Sequence, residues 1–261
     1  MVGVFFYGAR GYDTCQEQPT GYPAMRPIIG ITLDWQQEGT YSKRPHLALR
    51  EHYFNAVYAA GGLPVGIPMV HAAIPQYIDS IRGLLVPGGG FASPDSWYVD
   101  LNEPAPYEPS PRLDFDLSMI RQALAVDMPL LGICAGMQLL GGLEGCKMTR
   151  NVTKHANTEI DHLDAKPAEE VAHSVTVTPD TLLASIVMKP EIMVNTAHKE
   201  AIVEAPPHVS VNAVAPDGVI EGIELPEKRF ALGVQWHPEF FLTDGDPSFD
   251  IIKAFVAAAA K

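Results

Sequence analysis

The ten residues Pro129-Leu-Leu-Gly-Ile-Cys-Ala-Gly-Met-Gln138 constrain the fold of this chain more than any other segment. An apolar run over 130–133 stops at a cysteine, and two small residues, Ala135 and Gly136, lead into a helix-like stretch over 137–143. A buried strand that turns sharply into a helix lifts the side chain at the turn out of the sheet. The helix N-terminus then faces the thiol, an electropositive setting of the kind that reactive cysteines occupy. The pattern marks Cys134 as a candidate nucleophile. The competing reading is a buried structural cysteine, since free cysteine is among the most buried residue types.

A second segment, Phe230-Ala-Leu-Gly-Val-Gln-Trp-His-Pro-Glu239, supplies a base. A strand-like run over 231–236 delivers His237 and Glu239 on either side of Pro238. Residues two apart in extended chain point to the same side, and proline biases its predecessor toward extended geometry. Glu239 is therefore expected to accept a hydrogen bond from His237, set its tautomer and stabilise the imidazolium. His237 would take the proton from Cys134, completing the nucleophile, base and orienter of acyl transfer. Alone, His-Pro-Glu reads as a surface turn; beside a cysteine elbow elsewhere in the chain it reads as half of a site.

The third piece is Gly83-Leu-Leu-Val-Pro-Gly-Gly-Gly90, a short apolar strand that exits into three glycines. Glycine lets a backbone N–H approach a ligand closely. Two convergent N–H groups are what a tetrahedral oxyanion needs, and they are expected from the loop of Gly88, Gly89 and Gly90 and from Ala135. The alternative is a plain tight turn. A phosphate loop is excluded because no Gly-Lys-Ser/Thr follows.

Together these three motifs resemble the class I glutamine amidotransferase family, of the peptidase C26 type. The resemblance implies a Cys-His-Glu triad on a flavodoxin-like sheet. Four further stretches resemble the gamma-glutamyl-gamma-aminobutyrate hydrolase group: Pro27-Ile-Ile-Gly-Ile-Thr32, Tyr53 through Ala60-Gly-Gly-Leu-Pro64, Met193-Val-Asn-Thr-Ala-His198 and Ala215-Pro-Asp-Gly-Val-Ile-Glu221. The chain departs from that group where Ala135 replaces the usual arginine after the nucleophile. Glu200 replaces a glutamine, and residues 143–150 match poorly. The implied reaction is hydrolysis of a gamma-glutamyl amide, from glutamine or a gamma-glutamyl amine, through a thioester that releases glutamate. The resemblance also implies that Gln138 lies near the substrate head group. His173 and His198 are candidate pocket residues, with a satisfied structural histidine as the alternative for each. Two alternatives stand beside the hydrolase: a glutaminase subunit feeding ammonia to a separate synthase, and a non-catalytic binding protein on the same fold. Removing a cation at 135 and adding a carboxylate at 200 would favour a neutral or cationic leaving amine over one that ends in a carboxylate.

The formal net charge of −13 argues against nucleic acid or an anionic membrane as partner. No apolar run approaches the length of a membrane span, and no secretory signal pattern opens the chain. Three cysteines, Cys15, Cys134 and Cys146, fit a reducing cytoplasm better than a disulfide framework. No local pattern with metal-ligand spacing occurs, so no metal and no cofactor are expected, and the partner is a small molecule, with a homo-oligomer or a synthase left open.

The 261 residues suit one α/β catalytic domain over 27–261, preceded by an extension or lid over 1–26. Strands are expected at 28–33, 63–68, 83–86 and 129–133, alternating with helices at 51–60, 74–81, 113–126 and 137–143. Residues 91–112 carry five prolines and read as a long loop. This alternation predicts a mostly parallel sheet with helices on both faces. After residue 150 the period changes to two, at 173–178 and 209–214, which predicts an antiparallel excursion before a final strand at 231–236 and a closing helix at 247–259.

Overall fold

A computed structural model describes residues 25–163 and 166–261. The expected extension or lid, apart from its last two residues, lies outside the described residues, as does Cys15. The first half alternates as expected. It runs β1 (Ile28–Thr32), β2 (Asp34–Gln36), β3 (His46–Ala48), α1 (Glu51–Ala59), β4 (Leu63–Ile67), α2 (Ile74–Ser80), β5 (Gly83–Val86), α3 (Arg112–Ala125), β6 (Leu130–Ile133) and α4 (Ala135–Leu143). The second half is richer in strands: β7 (Lys147–Thr149), α5 (Val152–Ala156), β8 (His173–Val177), α6 (Leu182–Val187), β9 (Glu191–Val194), β10 (Ala201–Glu204), β11 (Ser210–Val214), β12 (Ile220–Glu224), β13 (Ala231–Val234) and α7 (Pro247–Ala259).

One sheet runs through the molecule in the order β4-β1-β5-β6-β13-β12-β11-β8-β9, with β10 pairing β12 and β7 off that path. The first five strands are mutually parallel, and in chain order they read 2-1-3-4-5, the flavodoxin-like arrangement. β12, β11, β8 and β9 continue it in antiparallel pairs. The parallel strands are nearly unbroken Leu, Ile and Val because helices cover both their faces. Side chains alternate between the two layers. Leu84, Val86 and Leu130 pack with residues of α2, α3 and α4, while Leu85, Leu131 and Ile133 pack with those of α1, α6 and α7. Among the described residues no helix is long and apolar enough to cross a membrane.

Three departures from the sequence expectation matter for the site. The loop over 91–112 contains a single 3-10 turn, Asp95–Trp97, and its last residue already belongs to α3. The final strand ends at Val234, two residues early. The β2–β3 hairpin, which has no alternating apolar pattern to announce it, follows directly on β1 and brings Asp34, Gln36 and Ala48 to the cavity that Cys134 lines.

Candidate active site

Register aligns the ends of three neighbouring parallel strands: Val86 stands beside Gly132, and Ile133 beside Val234. The segments that leave these strands therefore meet at one place: the Pro87–Gly90 loop after β5, Cys134 after β6 and His237 beyond β13. Cys134 has φ +52° and ψ −108°, a conformation that L-residues avoid. The turn is possible because its flanks are bare. A Cβ on Gly136 would overlap the Val86 carbonyl oxygen, and one on Gly132 would sit 2.6 Å from the Gly136 backbone. Ala135 is the first residue of α4. The first intrahelical bond runs from the Gln138 N–H to the Cys134 carbonyl, 3.1 Å, so the Ala135 N–H has no intrahelical acceptor.

His237 Nδ1 lies 2.8 Å from Glu239 Oε1, and both side chains are buried. The chain does not reach this pairing in extended form. Pro238 opens a 3-10 turn over Pro238–Phe240, which folds Glu239 back under the ring. Asn195, in the loop after β9, holds the base from behind: its Oδ1 accepts from the His237 N–H at 2.9 Å and its Nδ2 donates to the His237 carbonyl at 3.1 Å. Arg50 Nη2 stands 3.4 Å from Glu239 Oε1, and Tyr53 Oη stands 3.5 Å from His237 Nδ1. Burial works against a charged imidazole, but the Glu239 carboxylate and the neighbouring Cys134 outweigh it and push His237 up to about 10. The proton therefore rests on the ring at neutral pH.

The glycine loop wraps this pair. A Cβ on Gly88 would lie 2.7 Å from His237 Cε1 and 3.4 Å from Cys134 Cβ, so only glycine lets the loop close over both. Arg112, at the start of α3 and fully buried, orients the loop. Its Nη1 donates to the Gly88 carbonyl at 2.8 Å and its Nη2 donates to the Pro87 carbonyl. Its Nε donates to Asp116 Oδ2 at 2.8 Å. N–H and C=O point opposite ways across a trans peptide, so the amides of Gly88 and Gly89 turn away from Arg112. The Gly88 amide donates to Tyr53 Oη at 3.0 Å, so of the two it is the one already committed inside the protein.

These groups open on a cavity of about 560 Å³ whose wall includes Cys134, Gln138, His198 and His237 with the three glycines. Arg50, Lys199, Asp34 and Glu200 bring two cations and two carboxyls to the same wall. Gln138 Nε2 is committed inside the protein, to the Glu200 carbonyl at 3.0 Å and to Gln235 Oε1 at 3.1 Å. Burial pushes the Glu200 carboxyl up to about 7, against the hydrogen bond from Tyr98 at 2.5 Å and the nearby Arg150. His173 is a correction: it does not line the cavity. The period-two burial of β8 turns it into the interior, where its Nδ1 faces the Ser174 carbonyl at 3.1 Å. Arg50, Tyr53, Arg112 and Asn195 were not singled out from sequence. Tyr53, at the start of one family-like stretch, and Asn195, beside His198 in another, carried a local signal; Arg50 and Arg112 carried none.

This fold is shared with glutaminase domains. Among solved structures, the glutaminase domain of Trypanosoma brucei CTPS matches with a TM-score of 0.59 at 18% identity, over 90% of this chain and 94% of its own. A glutamine amidotransferase-like protein of Rickettsia prowazekii is 31% identical over 276 residues, 90% of this chain and 98% of its own. Gamma-glutamyl-gamma-aminobutyrate hydrolase of Escherichia coli K12 is 26% identical over 240 residues, 89% of this chain and 93% of its own. The Peptidase C26 family profile matches residues 27–239. The chain belongs to the Peptidase C26 family, and is thereby an amidohydrolase of the class I glutamine amidotransferase type.

Proposed function

We propose that this chain hydrolyses gamma-glutamyl amides through a covalent intermediate on Cys134. The observation that carries the reading is His237 held between Cys134 and a buried Glu239, 2.8 Å away, at the mouth of the cavity. The Cys134 sulfur attacks the side-chain amide carbon, and the carbonyl oxygen becomes an oxyanion against the N–H groups of Gly89 and Ala135. His237 carries the proton that the departing nitrogen requires. As the C–N bond breaks, that proton passes from Nε2 to the amine, leaving a gamma-glutamyl thioester. Neutral His237 then takes a proton from water, whose oxygen attacks the thioester. Collapse returns the sulfur and frees glutamate. Glu239 supports the imidazolium in both half-reactions, and Asn195 keeps the ring in place.

The two substitutions at 135 and 200 do not by themselves make the cavity negative, because Arg50 and Lys199 share its wall with Asp34 and Glu200. An amine tail of either charge therefore finds a counter-charge. The test is glutamate release by the purified chain from glutamine and from the gamma-glutamyl amides of putrescine, gamma-aminobutyrate and a simple alkylamine. Turnover of at least one gamma-glutamyl amine that depends on Cys134 is expected. Turnover of glutamine alone would favour an ammonia-supplying subunit, and no glutamate from any member would overturn the reading.

A further inference from the structure

The antiparallel half of the sheet holds a polar cluster for which the proposed reaction has no use. His162 in the loop after α5, His173 of β8, His198 in the loop before β10 and Glu221 of β12 are all buried. Their inner atoms converge on Glu221 Oε1: His198 Nε2 at 3.2 Å, His162 Nδ1 at 3.3 Å and His173 Nε2 at 3.8 Å. The ligand atoms of His162, His173 and Glu221 lie within 4.8 Å of one another.

The outer nitrogen of every ring is already engaged by an oxygen. His162 Nε2 is 2.9 Å from Asp217 Oδ2, His173 Nδ1 is 3.1 Å from the Ser174 carbonyl, and His198 Nδ1 is 3.0 Å from the Glu200 carbonyl. A carbonyl or carboxylate oxygen only accepts, so the ring nitrogen facing it carries the proton. In the neutral rings the inner nitrogens are then lone pairs, aimed at a carboxylate that also only accepts. The cluster has too many acceptors. His162 Nδ1, His173 Nε2 and Glu221 Oε2 are buried without a hydrogen-bond partner. Protonating all three rings would place three positive charges in a dry site against two carboxylates. One divalent cation would satisfy the converging lone pairs together and balance Glu221 and Asp217.

We propose that His162, His173, His198 and Glu221 form a binding site for a divalent transition-metal ion of the zinc class. A tetrahedral zinc with nitrogen and oxygen ligands at about 2.0–2.2 Å sets those atoms roughly 3.3–3.6 Å apart. The ligand atoms of His162, His173 and Glu221, within 4.8 Å of one another, would close in around the ion, and His198 Nε2, 3.2 Å from Glu221 Oε1 but outside that group of three, would turn in to complete it. Outer ring nitrogens held by a carboxylate or a carbonyl are the usual support of metal-bound histidine. Three imidazoles and one carboxylate, without a thiolate, suit zinc and its imidazole-preferring neighbours better than calcium or magnesium. The ligands come from four separate segments, which is why no local spacing announced them. Because His198 also lies on the cavity wall, two residues from Glu200, the ion would pin that wall to the antiparallel strands without touching Cys134.

Chelator-stripped protein titrated with zinc chloride by calorimetry tests the site. One ion per chain, bound more tightly than about 1 μM, is expected, and the cobalt(II)-loaded protein should show strong tetrahedral visible absorption. Cys134→Ala should bind zinc as the parent does, which separates this site from the reactive thiol. His173→Ala should weaken binding by at least about 10²-fold, and Asp217→Asn, which changes only the support of His162, by roughly 10- to 100-fold. Less than one ion bound by the parent chain, or equal affinity in the parent, His173→Ala and Asp217→Asn proteins, would overturn the proposal. The parent titration and the cobalt spectrum decide it even if a variant fails to fold.

Discussion

In the parallel half of the sheet β5, β6 and β13 are buried at every position, whereas in the antiparallel half β8 and β9 alternate buried residues with exposed or half-buried ones. The parallel strands have no polar side chain to spare, so chemistry can appear only where they end. The antiparallel strands do carry buried polar groups: His173 opens β8, where every second side chain turns inward, and Glu221 lies in β12, buried over four successive residues, and both meet partners from distant segments. One half thus presents reactive groups from short contiguous motifs, and the other builds a support assembled across the fold. Asn195 joins them, because it comes from the antiparallel side and holds the backbone of the base on the parallel side.

The sharpest way to separate the halves is at the elbow. Cys134→Ala should lower glutamate release by roughly 10⁴-fold or more while the melting temperature stays close to the parent value. A comparable loss from Cys146→Ala, whose thiol is buried away from the cavity wall, would break the distinction.

Arg112 comes next. Arg112→Met strands the Asp116 carboxylate in the core, and denaturant unfolding should show a loss of roughly 3–5 kcal/mol. Arg112→Lys keeps the charge but loses the double grip on the Pro87 and Gly88 carbonyls. There kcat should fall by roughly 10- to 100-fold with little change in KM, because the amides it orients serve the transition state. A change confined to KM would mean that the loop binds substrate and no more.

Asn195→Ala tests the bridge between the halves. Freeing the His237 backbone should lower kcat/KM by about 10²-fold, with a smaller effect on stability. A stability loss with unchanged kcat/KM would show the antiparallel half to be scaffold alone.

The smallest effect expected is a shift in pH dependence. The folded His237 titrates at about 10, above its ordinary 6.5. A group raised in this way stabilises the fold fully below pH 6.5 and loses that contribution as pH rises through about 10. The Glu239 carboxylate is the main group that raises it, so in Glu239→Gln the loss should move to lower pH. Melting curves against pH, with imidazole NMR on both proteins, check the direction. An unmoved titration would assign the shift to another group. Glu239→Gln should also damage turnover less than His237→Ala, since glutamine still hydrogen-bonds the ring.

These contrasts explain what the sequence disclosed. The elbow, the glycine loop and His-Pro-Glu were legible because each is a few consecutive residues whose strand or turn dictates its direction. At Gly88 and Gly136 the fold itself leaves no room for a side chain. Arg112 was hidden at the end of a proline-rich stretch, and its reason, two loop carbonyls after β5, is invisible without the fold. For His173 the sequence left a pocket residue and a structural histidine both open, because its strand was visible but the face it buries was not. The β2–β3 hairpin escaped because Asp34, Gln36 and His46 carry no strand-like alternation.

The proposed acyl transfer through Cys134 would leave a covalent trace, to be caught by acid-quenching the protein during incubation with a gamma-glutamyl amide and mapping its peptides by mass spectrometry. A gamma-glutamyl thioester is expected on the peptide containing Cys134, formed in the parent chain and absent from Cys134→Ala. Glutamate released at the parent rate by Cys134→Ala, or an adduct carried by Cys146 instead, would contradict it.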